Sequence, residues 1–372
     1  MNEDLLYLIA LLNIKGVGSS ICRHLIEEFG SAKAVFEAEA SLLCNMPYIG
    51  NLIVEQRNDP AHLRKAEAEI EFIRNHRIKT MVYGQEGYPS RLLDCPDAPA
   101  LLFYIGNANL ENTHIISIVG TRNATQYGKD NVFKFVKGIK EAIPDTIIVS
   151  GLALGIDISA HKAALENELP TIGVVAHGLD MIYPSVHRNI AIEMIEKGGG
   201  LISEYTSGVQ PERGNFLQRN RLIAGLADAV VVAESKEKGG SLVTASIALD
   251  YGHDVFAFPG RTGDTRSIGC NRLIRLNRAG LITCAEDFLE GMNWDNHQKR
   301  HKAIEQSINF EDDNLSDKDR LIIDALTTEG DLRVSQLSDI TGLDHSTLLE
   351  TLLDLEMNGR IRNCPGGLYQ LK

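Results

Sequence analysis

The chain has 372 residues, 44% of them hydrophobic, enough for two or three domains with buried cores. Its formal charge of −13 excludes a protein coated in positive potential for duplex DNA, yet leaves room for a local basic groove, because phosphates respond to charge within roughly 8–10 Å. No run of eighteen apolar residues exists, the leading MNEDLLYLIALL carries acids where a secretory signal carries Lys or Arg, and six scattered cysteines form no CxxC pair; the expectation is a cytoplasmic protein with no membrane insertion, disulfide framework, metal or other cofactor.

Residues 1–80 read as short helices. In LNIKGVGSSICRHLIEEFGSAKAVFEA an apolar run meets Gly16-Val17-Gly18, and apolar positions then recur with helical spacing at Ile21, Leu25, Ile26 and Phe29. This is a helix-hairpin-helix (SAM-like) pattern, whose glycines let backbone amides approach a phosphate. The flanking Glu27 and Glu28 favour a plain helical bundle over DNA contact, and a weaker second copy falls at SLLCNMPYIGNLIVEQ.

Over 81–290 the rhythm becomes β-α-β-α. Six short Val/Ile-rich runs, IISIVG (115–120), TIIVSG (146–151), PTIGVVA (170–176), GLISEY (200–205), ADAVVVAE (227–234) and HDVFAFPG (253–260), alternate with helical patterns. Strands of this kind are buried on both faces, which predicts an α/β, Rossmann-like doubly wound parallel sheet with its ligand beyond the carboxyl strand ends. Residues 291–316 are polar, without sustained period, and read as a linker; residues 317–372 give three helices and two strands around Pro365-Gly366-Gly367, a winged-helix layout. The helix expected at Asp344 to Asn358 has four acids and no Lys or Arg, which argues against a duplex-reading transcription regulator and for a wing that binds protein or nothing.

The chemistry that the sheet rim suggests is anion binding. No GxxxxGK[ST] occurs and no GxGxxG follows a strand, so nucleotide hydrolysis and dinucleotide binding lack their usual signatures. Three other turns converge: Gly120-Thr121-Arg122, Ser150-Gly151-Leu152-Ala153, and Lys238-Gly239-Gly240-Ser241, the last two opening helices whose N–H groups favour an anion. The stretch NFLQRNRLIAG adds Phe216, Arg219, Asn220 and Arg221, with Arg213 just ahead, and from Arg213 to Arg278 ten Lys/Arg stand against six Asp/Glu. Arg219 and Arg221 are expected to bracket phosphates while Phe216 stacks on an unpaired base. The strand-end carboxylates Glu204 and Glu234 are expected to orient these arginines by bidentate pairing. Asp157 and His161, spaced i,i+4, read as a helix-start acid and a satisfied polar residue; Tyr183-Pro184 and Cys270 to Ile274 read as structural, with Asn271 bonding at a helix start.

The runs SIVGTRNATQYG, IVSGLALGIDISAHKAAL, TIGVVAHGLDMIYP, FLQRNRLIAGLADAVVVAE, GGSLVTASIAL and VFAFPGRTGDTRSIGCNRLI together resemble the DNA-processing protein family DprA/Smf over roughly residues 95–288. The resemblance implies a homodimeric, non-enzymatic recombination mediator that binds and protects single-stranded DNA and helps load RecA, with SSB as a further partner, during natural transformation. It places the DNA pocket on Arg122, Ser150, Gly151, Phe216, Arg219, Asn220, Arg221, Gly240 and Ser241. Leu217, Gly239 and Asn277-Arg278 depart from the family's common residues without removing a cation. The competing reading is a nucleotide-processing enzyme of the phosphoribohydrolase-like Rossmann group, but the PGGxGTxxE pattern of those enzymes is not matched: no glutamate follows Thr244 in GGSLVTASI.

Overall fold

The computed structural model describes residues 3–46, 51–294, 315–364 and 366–371. The second hairpin expected in SLLCNMPYIGNLIVEQ crosses 47–50 and the expected linker runs through 295–314; those residues, like Pro365, lie outside the described ones.

Helices open the chain: α1 (Glu3–Leu12), α2 (Ser19–Phe29), α3 (Ala32–Glu37), α4 (Ala40–Cys44), α5 (Asn51–Gln56) and α6 (Pro60–Asn75). Their ends follow local chemistry. Gly30 takes the left-handed conformation (φ 86°) that closes α2, Ser31 accepts from the Ala34 amide to start α3, and Asp59 with Pro60 starts α6. There follow β1 (Lys79–Val82), α7 (Ser90–Leu93), β2 (Leu101–Gly106), β3 (Ile115–Gly120), α8 (Gln126–Ala142), β4 (Ile147–Ser150), α9 (Ile156–Glu166) and β5 (Thr171–Val174). After a 3₁₀ turn at Ser185–His187 come α10 (Arg188–Glu196), β6 (Gly200–Ser203), α11 (Arg213–Gly225), β7 (Ala229–Glu234), α12 (Gly240–Asp250), β8 (Asp254–Ala257), α13 (Ile268–Arg275), β9 (Gly280–Leu281) and α14 (Ala285–Met292). The chain ends with α15 (Asp317–Glu329), β10 (Leu332–Arg333), α16 (Val334–Thr341), α17 (His345–Met357), β11 (Ile361–Cys364) and β12 (Leu368–Leu371).

These elements form two compact units. The first joins Met1–Ala108 to Ile172–Leu222. Its strands run β1-β2-β6-β5, and β1 and β2 are antiparallel to their neighbours while β5 and β6 are parallel. The antiparallel pair lies outside the six expected strands; in KTMV only Met81 is buried, whereas LLFYIG begins with four buried residues, a continuous run of the same kind as the expected six. Leu101 and Phe103 of β2 close over the helical core built on Ile9, Leu11, Cys22, Leu25 and Ala66.

The second unit joins Asn109–Thr171 to Ile223–Lys372. Its strands run β4-β3-β7-β8-β9, all parallel. Residues such as Ile116, Ile118, Ile148 and Val231 are fully buried under α8, α9 and α14, and Phe288 stacks edge-on against Phe135, Phe256 and Trp294. Each expected strand run contains a strand, because a Val/Ile run covered on both faces has no amphipathic alternative. The C-terminal residues form a winged helix with its own core on Ile322, Leu326, Leu337, Leu348 and Leu352. The fold is Rossmann-like α/β with a C-terminal winged-helix domain.

Candidate nucleic-acid interface

In the first unit the candidate residues ride on α11. Arg213 is its exposed first residue. One turn on, Phe216 is half-buried, and its ring lies 5.9 Å from that of Tyr183 at 52°. Tyr183 is 47% exposed and Phe216 partly so, which leaves two aromatic side chains next to each other at the surface. Tyr183, read as structural, donates its backbone N–H to His177 Nε2 at 3.2 Å, and its exposed side chain lies beside Phe216. A lone Tyr before a proline gives no signal of that partnership; proximity to Phe216 exists only in three dimensions.

The next two arginines point inward. Arg219 is buried, with Nη1 donating to the Val174 carbonyl and its guanidinium carbon 5.9 Å from the Phe216 ring centre. Arg221 Nη2 donates to both carboxylate oxygens of Glu204 at 2.5 Å, and its Nε lies 3.9 Å from Asp97 Oδ2. The expected carboxylate pairing therefore holds for Glu204. Two open guanidinium groups flanking a strand do not stand here, because a helix end carrying three arginines is anchored by satisfying two of them within the protein. Asn220 is buried as well. Tyr205 holds the same helix, its hydroxyl donating to Gln218 Oε1 at 3.1 Å, and burial pushes that phenol up to about 12.

Glu204 also accepts from Ser19 Oγ at 2.7 Å. Ser19 is the first residue of α2, directly after Gly16-Val17-Gly18, so the start of the hairpin helix meets a protein carboxylate. That agrees with the plain-bundle reading of the N-terminal helices. His177 sits beneath Tyr183. Its Nδ1 lies 2.8 Å from the Gly178 carbonyl, which requires a proton there and leaves Nε2 as the acceptor for the Tyr183 N–H. Burial, aided by the Arg219 charge, lowers its pKa, and the bond to Gly178 offsets this in part.

In the second unit, β4, β3 and β7 are adjacent and parallel, so the turns after them open at one edge. Arg122 is exposed just past β3. Its loop is shaped by Gly155 (φ +81°), where a Cβ would overlap the Thr121 and Arg122 carbonyl oxygens, and by the Ile156 amide bonded to Thr121 O at 3.1 Å. Ser150 is buried with Oγ donating to Ile118 O at 2.6 Å, which ties β4 to β3; the Ser150 hydroxyl is a strand clamp and Gly151 beside it is buried. Gly240 is the exposed first residue of α12, with Gly239 as its N-cap, and Ser241 turns inward to donate to Ser235 Oγ at 3.0 Å.

Glu234 departs from expectation. Its Oε2 accepts the amide of Thr125, the N-cap residue of α8, at 2.8 Å and lies where a Cβ on Gly128 would go, so the partner it meets is a helix start and not an arginine. Asp157 lies in the first turn of α9, buried, with Gly155 and not its own side chain at the N-cap. His161 Nδ1 pairs with Thr171 Oγ1 at 2.7 Å, a polar core contact as expected. Asn271 sits within α13 and bonds both the amide (3.0 Å) and carbonyl (2.9 Å) of Gly260, fixing the loop after β8.

Residues 79–293 match the family model described as DNA recombination-mediator protein A, and residues 310–367 match the DprA winged helix domain. The chain belongs to the DNA recombination-mediator protein A family. It is 43% identical over 202 residues to the DNA processing protein DprA of Streptococcus pneumoniae, covering 54% of this chain and 70% of that protein. It is 36% identical to the protein Smf of Escherichia coli over 289 residues, 77% of this chain and 76% of the relative. Among solved structures, the X-ray structure of DNA processing protein A from S. pneumoniae matches with a TM-score of 0.65 and 33% identity, covering 77% of this chain and 97% of that one. A DNA processing protein A from Helicobacter pylori, whose structure concerns its single-stranded DNA binding mode, matches at 0.53 and 31%, covering 59% and 98%. The matched span of this recombination-mediator family takes in every candidate residue above. Among the described residues no helix is long and apolar enough to cross a membrane, and no cluster of His, Cys, Asp or Glu could hold a metal ion.

Proposed function

We propose that this protein is a single-stranded DNA-binding recombination mediator of the cytoplasm, which protects incoming strands and helps load RecA on them during natural transformation. The observation that carries the reading is the half-exposed aromatic pair of Phe216 and Tyr183 at the start of α11, one turn from the exposed Arg213. An aromatic face takes any base once it is unstacked, whereas a paired base keeps its faces inside the duplex, so such a platform selects single strands without reading sequence. The family membership and the single-strand binding of the H. pylori relative support the same assignment.

Roles divide by exposure. Arg213 and Arg122 meet phosphates and the exposed Gly240 turn supplies uncharged contact at the sheet edge, while the buried Ser150, Gly151 and Ser241 hold the loops. Arg219, Asn220 and Arg221 fix the pitch of α11 and lend positive potential from inside. The working domain limits are 1–80, 81–290, 291–316 and 317–372, the functional form is a homodimer, SSB-coated strands are the physiological substrate, and no catalytic step is assigned. The test is fluorescence anisotropy with a labelled oligonucleotide, single-stranded against duplex, across a salt series. Equal affinity for both forms overturns the reading, as does failure to speed RecA assembly on SSB-coated strands for the mediator role.

A further inference from the structure

The winged-helix domain carries a feature that single-strand binding does not use. Along α17, Leu348, Thr351, Leu352 and Leu355 are buried and build the core, as a helix of this amphipathicity requires. The same helix nevertheless exposes Leu349 (42%), Leu353 (57%) and Met357 (79%). These stand at i, i+4 and i+8, so they form a continuous stripe along one side. Single exposed leucines are ordinary on a surface; three aligned ones, on the helix that a DNA-reading winged helix would put into the major groove, are not.

The chemistry around the stripe decides what covers it. Glu350 and Asp354, both exposed, run alongside it, and between Asp344 and Asn358 no Lys or Arg occurs. The whole segment from Asp317 to Lys372 holds six Lys/Arg against ten Asp/Glu. A nucleic acid is repelled by this face. A second copy of the same helix is disfavoured too, since pairing the two stripes would bring Glu350 and Asp354 of both copies together. The complementary surface is an amphipathic helix with leucine-type residues at i, i+3/i+4, i+7 and Lys or Arg on their flanks, the geometry by which a helix beds its apolar face on another.

We infer that α17 is a docking face for a basic, amphipathic helix of a partner protein, with Leu349, Leu353 and Met357 as its anchors and Glu350 and Asp354 setting its polarity. The wing then tethers a second protein to a DNA-bound chain without touching DNA itself.

The probe is a labelled 18-residue helical peptide with Leu at every third or fourth position and Lys on both flanks, titrated into the full chain. Two control peptides carry Glu flanks, or Ser in place of Leu. The Lys-flanked peptide is expected to bind at least about tenfold tighter than either control. A Leu353→Ser/Met357→Ser chain, folded because both side chains are solvent-facing, is expected to lose about tenfold, and a Glu350→Gln/Asp354→Asn chain to lose its preference for Lys over Glu flanks. Circular dichroism confirms folding of each variant. Equal binding of the Lys-flanked peptide by wild type and the Leu353/Met357 variant overturns the proposal. So does a concentration-dependent dimer, or oligonucleotide binding, that the Leu353/Met357 change abolishes, since the face would then belong to a second copy or to nucleic acid.

Discussion

Arg221 gives one guanidinium nitrogen to both oxygens of Glu204 at 2.5 Å, and the two side chains are 13% and 14% exposed. The pair joins α11 to the end of β6, and Ser19 adds the start of α2 to the same carboxylate. Removing one member of a mostly buried pair strands the other charge, at a cost of about 3 kcal/mol. Arg221→Ala is therefore expected to lower the unfolding free energy by that order in a urea titration of the full chain. Glu204→Gln keeps a hydrogen-bonding amide but releases the Arg221 charge. In the single-strand reading it steepens the salt dependence of oligonucleotide binding by roughly 0.7 in log–log slope, one extra phosphate neutralised. A slope unchanged in Glu204→Gln would show that Arg221 never faces the strand.

Phe216 and Tyr183 act through their rings, Arg213 and Arg122 through charge, and salt separates the two. Phe216→Ala and Tyr183→Ala are each expected to weaken single-strand binding by about 1–3 kcal/mol, roughly 5- to 150-fold, at an unchanged salt slope. Arg213→Ala and Arg122→Ala are expected to lower the slope by roughly 0.7 each. Anisotropy at four or more salt concentrations reads both quantities. An unaltered affinity in both aromatic variants removes the platform.

His177 is held neutral by burial and by the nearby Arg219, with a folded pKa below the ordinary 6.5. Above that ordinary value folded and unfolded forms are both neutral and the full stability is present. As pH falls through 6.5 the unfolded chain takes up a proton that the native site resists, so stability is lost until the pH passes the lowered native value. A proton on Nε2 would also break its bond from the Tyr183 amide, disturbing the ring beside Phe216. His177→Gln is expected to flatten the decline in thermal midpoint between neutral and mildly acidic pH. A decline of the same steepness in the variant would place its origin elsewhere.

Gly155 holds φ +81°, and a side chain there would strike the carbonyls that shape the loop of Arg122. Gly155→Ala is expected to cost at least about 1–3 kcal/mol in backbone strain alone, and to weaken oligonucleotide binding through the displaced Arg122. Gly214, in the first turn of α11, has no positive φ, and a methyl group placed on it would meet nothing within 4 Å. Gly214→Ala is therefore the matched control and should leave both quantities near wild type.

How far these sites can be read without coordinates depends on range. The strands at 115–120 and 227–234 are plain, because runs such as IISIVG and AVVVAE need no partner to be recognised as doubly buried. The winged helix is equally plain, from helical periodicity followed by a glycine wing. Arg219 and Arg221 are legible as cations but not as internally bonded ones, since what holds them is Val174 and Glu204, 45 and 17 residues away in the chain. Glu204 and Glu234 look alike in sequence, each an acid at a strand end. One meets Arg221 and the other meets the Thr125 amide, a difference set by which helix crosses above. Tyr183 escapes the sequence for the same reason.

Arg333, at the start of α16 in the winged helix, pairs with the fully buried carboxylate of Asp228, which also accepts the Ile115 amide at 2.7 Å. The Gly366 amide in the wing donates to Asp254 at 3.0 Å, and burial raises the pKa of that acid. Asp228, Ile115 and Asp254 all lie at the amino ends of β7, β3 and β8, whereas Arg122, Gly151 and Gly240 follow the carboxyl ends of β3, β4 and β7. The winged helix is thus tied to the edge of this sheet opposite the candidate DNA turns. Arg333→Met strands the Asp228 carboxylate and is expected to weaken this tie by about 3–5 kcal/mol. Calorimetry should then resolve the winged helix as a separate, earlier transition, while single-strand affinity stays at the wild-type value. A loss of affinity in Arg333→Met, with the fold of the rest retained, would mean that the wing reaches the strand after all.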